Sequence, residues 1–123
     1  MKFIDSNVLA YAFYDNSNTQ RCQEIIHEGG IINTANLLEA YNIIQSETTT
    51  ERATEAIKGL LKSNLKIIDV DVNLIFEALK RTLKYERLKF IDLVHYVTSV
   101  LHQCDAIASY DKDFDDLDIQ RVT

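Results

Sequence analysis

Phe3-Ile4-Asp5-Ser6-Asn7-Val8-Leu9 opens the chain with an apolar run, a carboxylate and a second apolar run. The first run, Met1 to Ile4, predicts a short buried strand that ends at Asp5. In an open α/β sheet, ligands bind in the crevice beyond the carboxyl ends of the parallel strands. The stretch therefore predicts both a parallel sheet and a functional carboxylate at its edge.

Further apolar runs along the chain predict the remaining strands. They are Ile31 and Ile32 after the Gly29-Gly30 break, Lys66 to Val70, Asp105 to Tyr110, and Ile119 to Val122 as an edge. Helical patterns fill the intervals, and strands separated by helices imply right-handed crossovers between parallel neighbours. We therefore predict a three-layer α/β/α fold with a central, mostly parallel sheet.

Two of the intervening helices can be predicted in detail from their apolar spacing. One follows Thr50, which suits an N-cap, and the other follows Asp71, a second N-cap candidate. Their apolar positions recur at helical spacing and should face the core. These positions are Ala53, Ala56, Ile57, Leu60 and Leu61 in the first helix, and Val72, Ile75, Phe76, Leu79 and Leu83 in the second.

Composition is that of an ordinary globular protein, with 46% apolar and 26% charged residues among 123. No linker or repeat divides the chain, so one domain over residues 1–123 is expected. Cys22 and Cys104 have no paired spacing and are expected to be buried small hydrophobes. Without a leader or a long apolar run, we expect a cytoplasmic protein with no membrane segment.

Carboxylates follow strands in several distant parts of the chain. Asp5, Asp92 and Asp111 lie at strand or helix ends, and Glu39 lies in the helix after the second strand. A site built of oxygen ligands favours Mg²⁺ or Mn²⁺. Each acid also has a structural explanation, because Asp92 suits an N-cap, Glu39 projects on the polar arc of its helix, and Asp111 begins an Asp-rich loop. In that loop Asp113 or Asp115 is a candidate additional ligand.

Together these motifs resemble those of PIN-domain nucleases. The opening stretch resembles the first motif, Glu39 matches the second acid, and the later motifs are Phe90-Ile91-Asp92-Leu93 and Ser109-Tyr110-Asp111-Lys112-Asp113-Phe114. The resemblance covers Lys2 to about Val122, and the organisation is similar to that of the small toxin ribonucleases of VapC type. It implies a metal-dependent endoribonuclease that is the toxin of a toxin–antitoxin pair.

The resemblance also implies roles and partners. Asp5, Glu39, Asp92 and Asp111 would be catalytic, and three of them, Asp5, Asp92 and Asp111, would bind Mg²⁺ or Mn²⁺. RNA would be the substrate and an antitoxin the protein partner. A homodimer is expected, with its interface on apolar residues of the helices from Ala35 to Leu61.

Charge distribution adds candidate RNA contacts. The net charge of −6 reflects in part the proposed ligands, so it does not exclude a nucleic-acid substrate. Five basic residues, Lys80, Arg81, Lys84, Arg87 and Lys89, precede Asp92 within ten positions. Of these, Arg81, Lys84 and Arg87 are predicted to bind phosphates, unless the segment is only a solvated helix face. Ser6 and Asn7 are candidates to orient Asp5, the scissile phosphate or the attacking water.

Other functions fit the residues less well. His95 and His102 are seven apart, about 10.5 Å along a helix, which is too far to share one zinc. Receiver-like phosphoryl transfer would use Asp69 as its central acid but lacks the early acidic pair, and no Asp-x-Asp of haloacid-dehalogenase phosphatases follows the first strand. A non-catalytic PIN-like module that binds RNA or protein is the remaining alternative, against which the presence of all four acids counts.

Overall fold

Five short strands form the central layer of the protein in the computed structural model, which describes residues 1–123. They are β1 (Lys2–Ile4), β2 (Ile31–Asn33), β3 (Lys66–Ile68), β4 (Ala106–Ala108) and β5 (Gln120–Val122). Their order in the sheet is β3-β2-β1-β4-β5, and every neighbouring pair is parallel. Because the connections are helical crossovers, all carboxyl ends lie at one edge, as the sequence predicts.

Six α-helices and one 3₁₀ helix surround the sheet. They are α1 (Ser6–Tyr11), α2 (Thr19–Glu28), α3 (Thr34–Glu47), α4 (Thr50–Leu61), α5 (Val72–Leu79), α6 (Phe90–Leu101) and the 3₁₀ helix Lys112–Asp116. None of the helices combines the length and the apolar character needed to cross a bilayer.

Alternate residues of the strands divide the core into two clusters. Ile4 and Ile32 pack with helices α1 to α4 on one face, whereas Phe3, Ile31 and Ile107 pack with α5, α6 and the 3₁₀ helix on the other. Successive side chains of a strand point to opposite faces of the sheet, which explains this division. The predicted three-layer α/β/α fold is confirmed.

Gly30 allows β2 to begin beside β1. Its φ is +155°, and a Cβ at this position would lie 2.6 Å from the carbonyl oxygen of Lys2. Any other residue would therefore push the two strands apart, because that contact involves backbone.

The helix predicted over Val72 to Leu83 differs most from the structure. Asp71 caps it as expected, accepting from the Leu74 backbone nitrogen at 2.9 Å, but α5 ends at Leu79. Most of the predicted stripe is exposed, including Val72, Phe76, Leu79 and Leu83. The helix packs on α6 through Leu74 and Ala78 instead, which places its buried face on a different side. In a helix of two turns the spacing of so few apolar residues does not define the buried side.

The other predicted helix shows smaller differences. Thr49, not Thr50, is its N-cap and accepts from the Arg52 backbone nitrogen at 3.1 Å. Of the predicted core residues, Ala53, Ala56 and Leu60 are buried, Ile57 is partly buried and Leu61 is 57% exposed. Cys22 is buried as predicted, while Cys104 is only partly so.

Candidate active site

The four acids proposed from the sequence meet beyond the carboxyl ends of β1, β2 and β4. They fall into two groups of candidate ligand atoms, and the atoms within each group lie within 4.8 Å of one another. The inner group consists of Asp5, Glu39 and His95, and the outer group consists of Asp92, Asp111 and Asp113. The negative charges of Asp5 and Glu39 act on Asp92, so the groups are electrostatically one site.

Asp5 is held rigidly at the end of β1. Its side chain is buried, Oδ1 accepts from the Ser6 backbone nitrogen at 2.7 Å, and Oδ2 accepts from the Ser109 hydroxyl at 2.6 Å. Burial raises the pKa of Asp5 above its ordinary value, although the two hydrogen bonds, and the charge of His95 whenever that ring is protonated, oppose the shift. The carboxylate therefore has a defined orientation before any ligand binds.

Glu39 points into the site from α3 and is not a surface glutamate. Its Oε1 accepts from the Ser6 hydroxyl at 2.6 Å and from His95 Nε2, also at 2.6 Å. Burial alone would raise the pKa of Glu39, but the hydrogen bonds from His95 and Ser6 outweigh it and hold the pKa below its ordinary value. The polar arc of α3 faces α1 and α6 here, which a helical projection does not reveal.

Asp92 does not cap α6, contrary to its structural explanation from the sequence. The helix begins at Phe90 after Lys89, and Asp92 lies in the first turn. Its side chain is buried and accepts no hydrogen bond within the protein. Burial, followed by the charge of Asp5, raises its pKa to about 6. Its oxygens still reach solvent, because no fully buried polar side-chain atom lacks a partner, but no donor of the protein offsets the cost of their partial burial.

The Asp-rich loop contributes two acids to the outer group. Asp111 Oδ1 accepts from the Asp113 backbone nitrogen at 2.9 Å, which brings the Asp113 carboxylate toward Asp92. Asp115 instead pairs with Arg121 at 2.7 Å. Of the two candidates for an additional ligand, the structure therefore places Asp113 with the other acids and Asp115 outside them.

The donor set fits a hard divalent cation. The outer group offers carboxylate oxygens alone, which is the ligand type that Mg²⁺ and Mn²⁺ prefer. Asp92, whose charge is opposed by burial and by neighbouring acids, would regain stabilisation from a bound cation. Asp92, Asp111 and Asp113 could hold it together, while Asp5, the third ligand predicted from the sequence, lies in the inner group.

Two residues of the site were not selected from the sequence. His95 is fully buried, and Ser109 is fully buried directly after β4. The sequence places His95 on the same helix face as Asp92, but it suggests a metal role for His95 only through zinc, for which His102 is too far away. Ser109 lies within the last motif, but nothing in the sequence indicates that its hydroxyl would donate to Asp5.

The two polar residues proposed to contact substrate, Ser6 and Asn7, have different surroundings. The Ser6 hydroxyl is used within the protein, because it donates to Glu39 and accepts from Asn36 Nδ2 at 2.8 Å. Asn7 accepts from the Tyr110 backbone nitrogen at 3.4 Å and is partly exposed. Ser6 therefore orients Asp5 through its backbone nitrogen and Glu39 through its hydroxyl, and a contact of Ser6 or Asn7 with substrate stays a prediction.

The three basic residues proposed to bind phosphates also have different surroundings. Arg81 donates to the Glu77 carbonyl at 2.8 Å and pairs with the Glu77 carboxylate at 3.3 Å. Lys84 and Arg87 line a cavity of about 340 Å³ that also includes Asp113 of the outer group. Lys84 and Arg87 therefore lie next to the acids, where Arg87 also pairs with Asp116 at 3.5 Å, whereas Arg81, just after α5, pairs with Glu77.

Comparisons with known proteins agree with this architecture. The structure is similar to that of the Mycobacterium tuberculosis VapC20 toxin, which cleaves the sarcin-ricin loop, with a TM-score of 0.86 and 12% identity over 99% of this chain and 98% of the toxin. It is also similar to a chain of a Klebsiella pneumoniae toxin–antitoxin complex, with a TM-score of 0.74 and 16% identity over 100% of this chain and 97% of that chain.

At these identities the two structures show the fold alone. No curated protein matches the sequence. The family model of the PIN domain matches residues 2–120, which is nearly the whole chain and includes all four acids. The chain therefore belongs to the PIN domain family.

Proposed function

We propose that this protein is a metal-dependent endoribonuclease that hydrolyses RNA phosphodiester bonds in the cytoplasm, as a single domain over residues 1–123. The observation that carries the proposal is the convergence of Asp5, Glu39, Asp92 and Asp111 at one sheet edge. Membership of the PIN domain family supports the reaction class. The similarity to the VapC20 toxin supports a role as the toxin of a toxin–antitoxin pair.

The chemistry follows from the charges of the site. A divalent cation held by Asp5, Asp92 and Asp111 would lower the pKa of the attacking water and neutralise charge that develops on the phosphate. The protein then needs no nucleophile of its own. Glu39, ionised and restrained by two donors, adds negative charge on the inner side, and Asn7 at the rim can orient the phosphate or the water.

RNA would approach from the side of the outer group. Lys84 and Arg87 line the cavity beside Asp113, and their positive charges can bind phosphates next to the acids. Tyr85 also lines this cavity, with Lys84 Nζ 5.3 Å from the centre of its ring. The acids alone would repel RNA, so a basic border of this kind is what a phosphodiester substrate requires.

Cleavage of structured RNA by the purified protein tests the proposal. Wild type should cut with Mn²⁺ or Mg²⁺ and not with chelator, whereas Asp92→Asn and Asp5→Asn should lose at least about 100-fold in rate, because an amide keeps the shape without the charge. Asp115→Asn, in the same loop but paired with Arg121, is the matched control and should cut normally. A wild-type protein that binds RNA without cutting it would favour the alternative, a non-catalytic PIN-like binding module.

We also propose a homodimer and an antitoxin partner. Large apolar side chains on the proposed interface helices are open to solvent, with Leu38 of α3 70% exposed and Leu61 of α4 57% exposed. The likeness to a chain of a toxin–antitoxin complex supports a protein partner of that kind. Light scattering should give twice the monomer mass for wild type and a lower mass for Leu38→Asp with Leu61→Asp.

A further inference from the structure

Two asparagines at the start of α3, the N-cap Asn33 and Asn36, form hydrogen bonds with one another. Asn33 Oδ1 accepts from the Asn36 backbone nitrogen at 2.9 Å, and Asn36 Oδ1 accepts from the Asn33 backbone nitrogen at 2.8 Å. This reciprocal capping box fixes the orientation of both side-chain amides, since each oxygen is already assigned. Each NH₂ group must therefore point away from the helix end and into the site.

The Asn33 amide determines which nitrogen of His95 carries the proton. Asn33 Nδ2 lies 3.1 Å from His95 Nδ1 and 3.0 Å from the Thr98 hydroxyl oxygen. Because an NH₂ group can only donate, Nδ1 must accept and has no hydrogen. The proton of the neutral ring is therefore on Nε2, which faces Glu39 Oε1 at 2.6 Å. The opposite tautomer would place two donors together at Nδ1 and two acceptors together at Nε2.

The Asn36 amide acts on Glu39 in parallel. Asn36 Nδ2 donates to the Ser6 hydroxyl oxygen at 2.8 Å, so the Ser6 hydrogen is directed to Glu39 Oε1. Asn36 Nδ2 also lies 3.5 Å from His95 Nε2, a contact too long to compete with its bond to Ser6. Asn33 thus acts through His95, and Asn36 through Ser6, on the same oxygen, Oε1 of Glu39. The other oxygen of Glu39, Oε2, has no hydrogen-bond partner inside the protein.

We propose that His95 is a positioning residue that holds Glu39 by one oxygen and leaves the other directed at the cation site. Full burial of the ring makes its orientation rigid, and the capping box selects the tautomer that donates to the carboxylate. Partners of this kind orient ligand groups, and their removal costs about 10- to 100-fold in metal affinity. The functional part of this inference rests on the proposed metal-dependent function.

Nuclear magnetic resonance of the metal-free protein tests the tautomer alone. Long-range ¹H–¹⁵N spectra should show His95 with a hydrogen on Nε2 and none on Nδ1 at neutral pH. Hydrogen on Nδ1, whether in the other tautomer or in a doubly protonated ring, would overturn the assignment. No metal or RNA enters this measurement, so its result is independent of the nuclease proposal.

Calorimetric titration with Mn²⁺ tests the positioning role. His95→Leu should weaken Mn²⁺ binding about tenfold or more, and His95→Gln, whose amide nitrogen can replace Nε2, should restore most of the affinity. Val97→Ala, also fully buried on α6 but remote from Glu39, is the matched control. It should lower thermal stability and leave Mn²⁺ affinity within about twofold.

The outcomes separate the two proposals. Equal Mn²⁺ affinity in wild type and a folded His95→Leu would overturn the role of His95 while the nuclease proposal stands. If His95→Gln binds as weakly as His95→Leu, the hydrogen bond to Glu39 is not the cause and the role is likewise overturned. If wild type does not bind Mn²⁺, the metal-dependent function fails, and the positioning role fails with it.

Discussion

The inner and outer groups of acids lie side by side but are stabilised differently. Asp5 and Glu39 of the inner group each accept two hydrogen bonds from buried or partly buried donors. Asp92 of the outer group accepts none and has its pKa raised to about 6 by burial and by the charge of Asp5. The fold thus orients the inner carboxylates with its own donors, although burial still raises the pKa of Asp5, and it gives Asp92 of the outer group no donor.

The largest expected effect is the loss of the response to Mn²⁺ when the outer group is changed. Binding to the folded state alone stabilises wild type by about 2.7 kcal/mol at 100 times Kd, which for a chain of 123 residues corresponds to a rise in Tm of roughly 10 °C. Asp92→Asn should abolish most of this rise, because it removes the carboxylate that most needs a counter-charge. Thermal unfolding with Mn²⁺ and with chelator measures it.

Asp115→Asn serves as the control for that experiment, since its carboxylate pairs with Arg121 outside the site. An Asp92→Asn protein that gains as much from Mn²⁺ as wild type would remove the outer group from the cation site. The distinction between the groups would then have no functional meaning.

Ser109→Ala should test the inner group by removing one of its donors. The Ser109 hydroxyl donates to Asp5 Oδ2 at 2.6 Å and accepts from the Asp111 backbone nitrogen at 2.9 Å, both in buried or partly buried surroundings. Loss of a hydrogen bond to a buried charge should cost about 2 kcal/mol in the free energy of unfolding. Denaturant unfolding at pH 7.5 without metal measures it.

Ser99→Ala is the matched control, because Ser99 is equally buried but donates to the neutral carbonyl of Tyr96. Its cost should be nearer 1 kcal/mol. Equal costs for the two variants would show that the inner donors do not stabilise charge in particular.

The metal-free protein should be more stable at pH 5 than at pH 7.5. The folded-state pKa of Asp92, about 6, is raised above its ordinary value of 3.8. Its contribution to stability is therefore fully present below about pH 4 and is lost as pH rises through about 6. The lowered pKa of Glu39 acts in the opposite direction, but only at more acidic pH.

A series of Tm values between pH 5 and 7.5 in chelator should show a fall of a few degrees for wild type, about 3 °C. Asp92→Asn should make the fall smaller and melt higher than wild type at pH 7.5, because its repulsion is gone, while the raised pKa of Asp5 retains part of the fall. Asp69→Asn, an exposed acid outside the site, should follow the wild-type curve. A flat wild-type series would contradict the burial of an ionised Asp92.

The smallest expected effect concerns RNA binding on the outer side. Lys84→Gln with Arg87→Gln should lower the salt dependence of RNA affinity by about 1.4 in the slope of log K against log salt for single strands, since two phosphate contacts are lost. Arg81→Gln should leave the slope unchanged, because Arg81 is engaged with Glu77. Titrations of labelled RNA at several salt concentrations, in a catalytically inactive background, measure the slopes.

The basic segment illustrates how far charge alone predicts a contact. Arg81, Lys84 and Arg87 are equivalent in sequence terms, but Arg81 pairs with Glu77 at 3.3 Å, Arg87 pairs with Asp116 at 3.5 Å, and Lys84 forms no ion pair. If Arg81→Gln lowered the slope as much as the double variant, the cavity beside the outer group would not be the RNA contact.

Local sequence determined the strands, the order of layers and the positions of Asp5, Asp92 and Asp111 at element ends. These follow from short-range rules, since an apolar run predicts a strand and parallel strands share one carboxyl edge. The same rules failed for α5, where Val72 and Leu83 were expected inside and are exposed. A two-turn helix has too few positions for its own pattern to outweigh its packing on α6.

Only the tertiary structure decided what surrounds each acid. The orientation of Glu39 depends on Ser6, which lies 33 residues away, and on His95, which lies 56 residues away. Asp92 is not an N-cap because α6 begins at Phe90. Its raised pKa depends on its burial and on the charges of Asp5, Asp111 and Glu39, which come from distant parts of the chain. Periodicity and capping act between residues a few positions apart, whereas hydrogen bonds and desolvation depend on distances in space, which the sequence sets only through the folded chain.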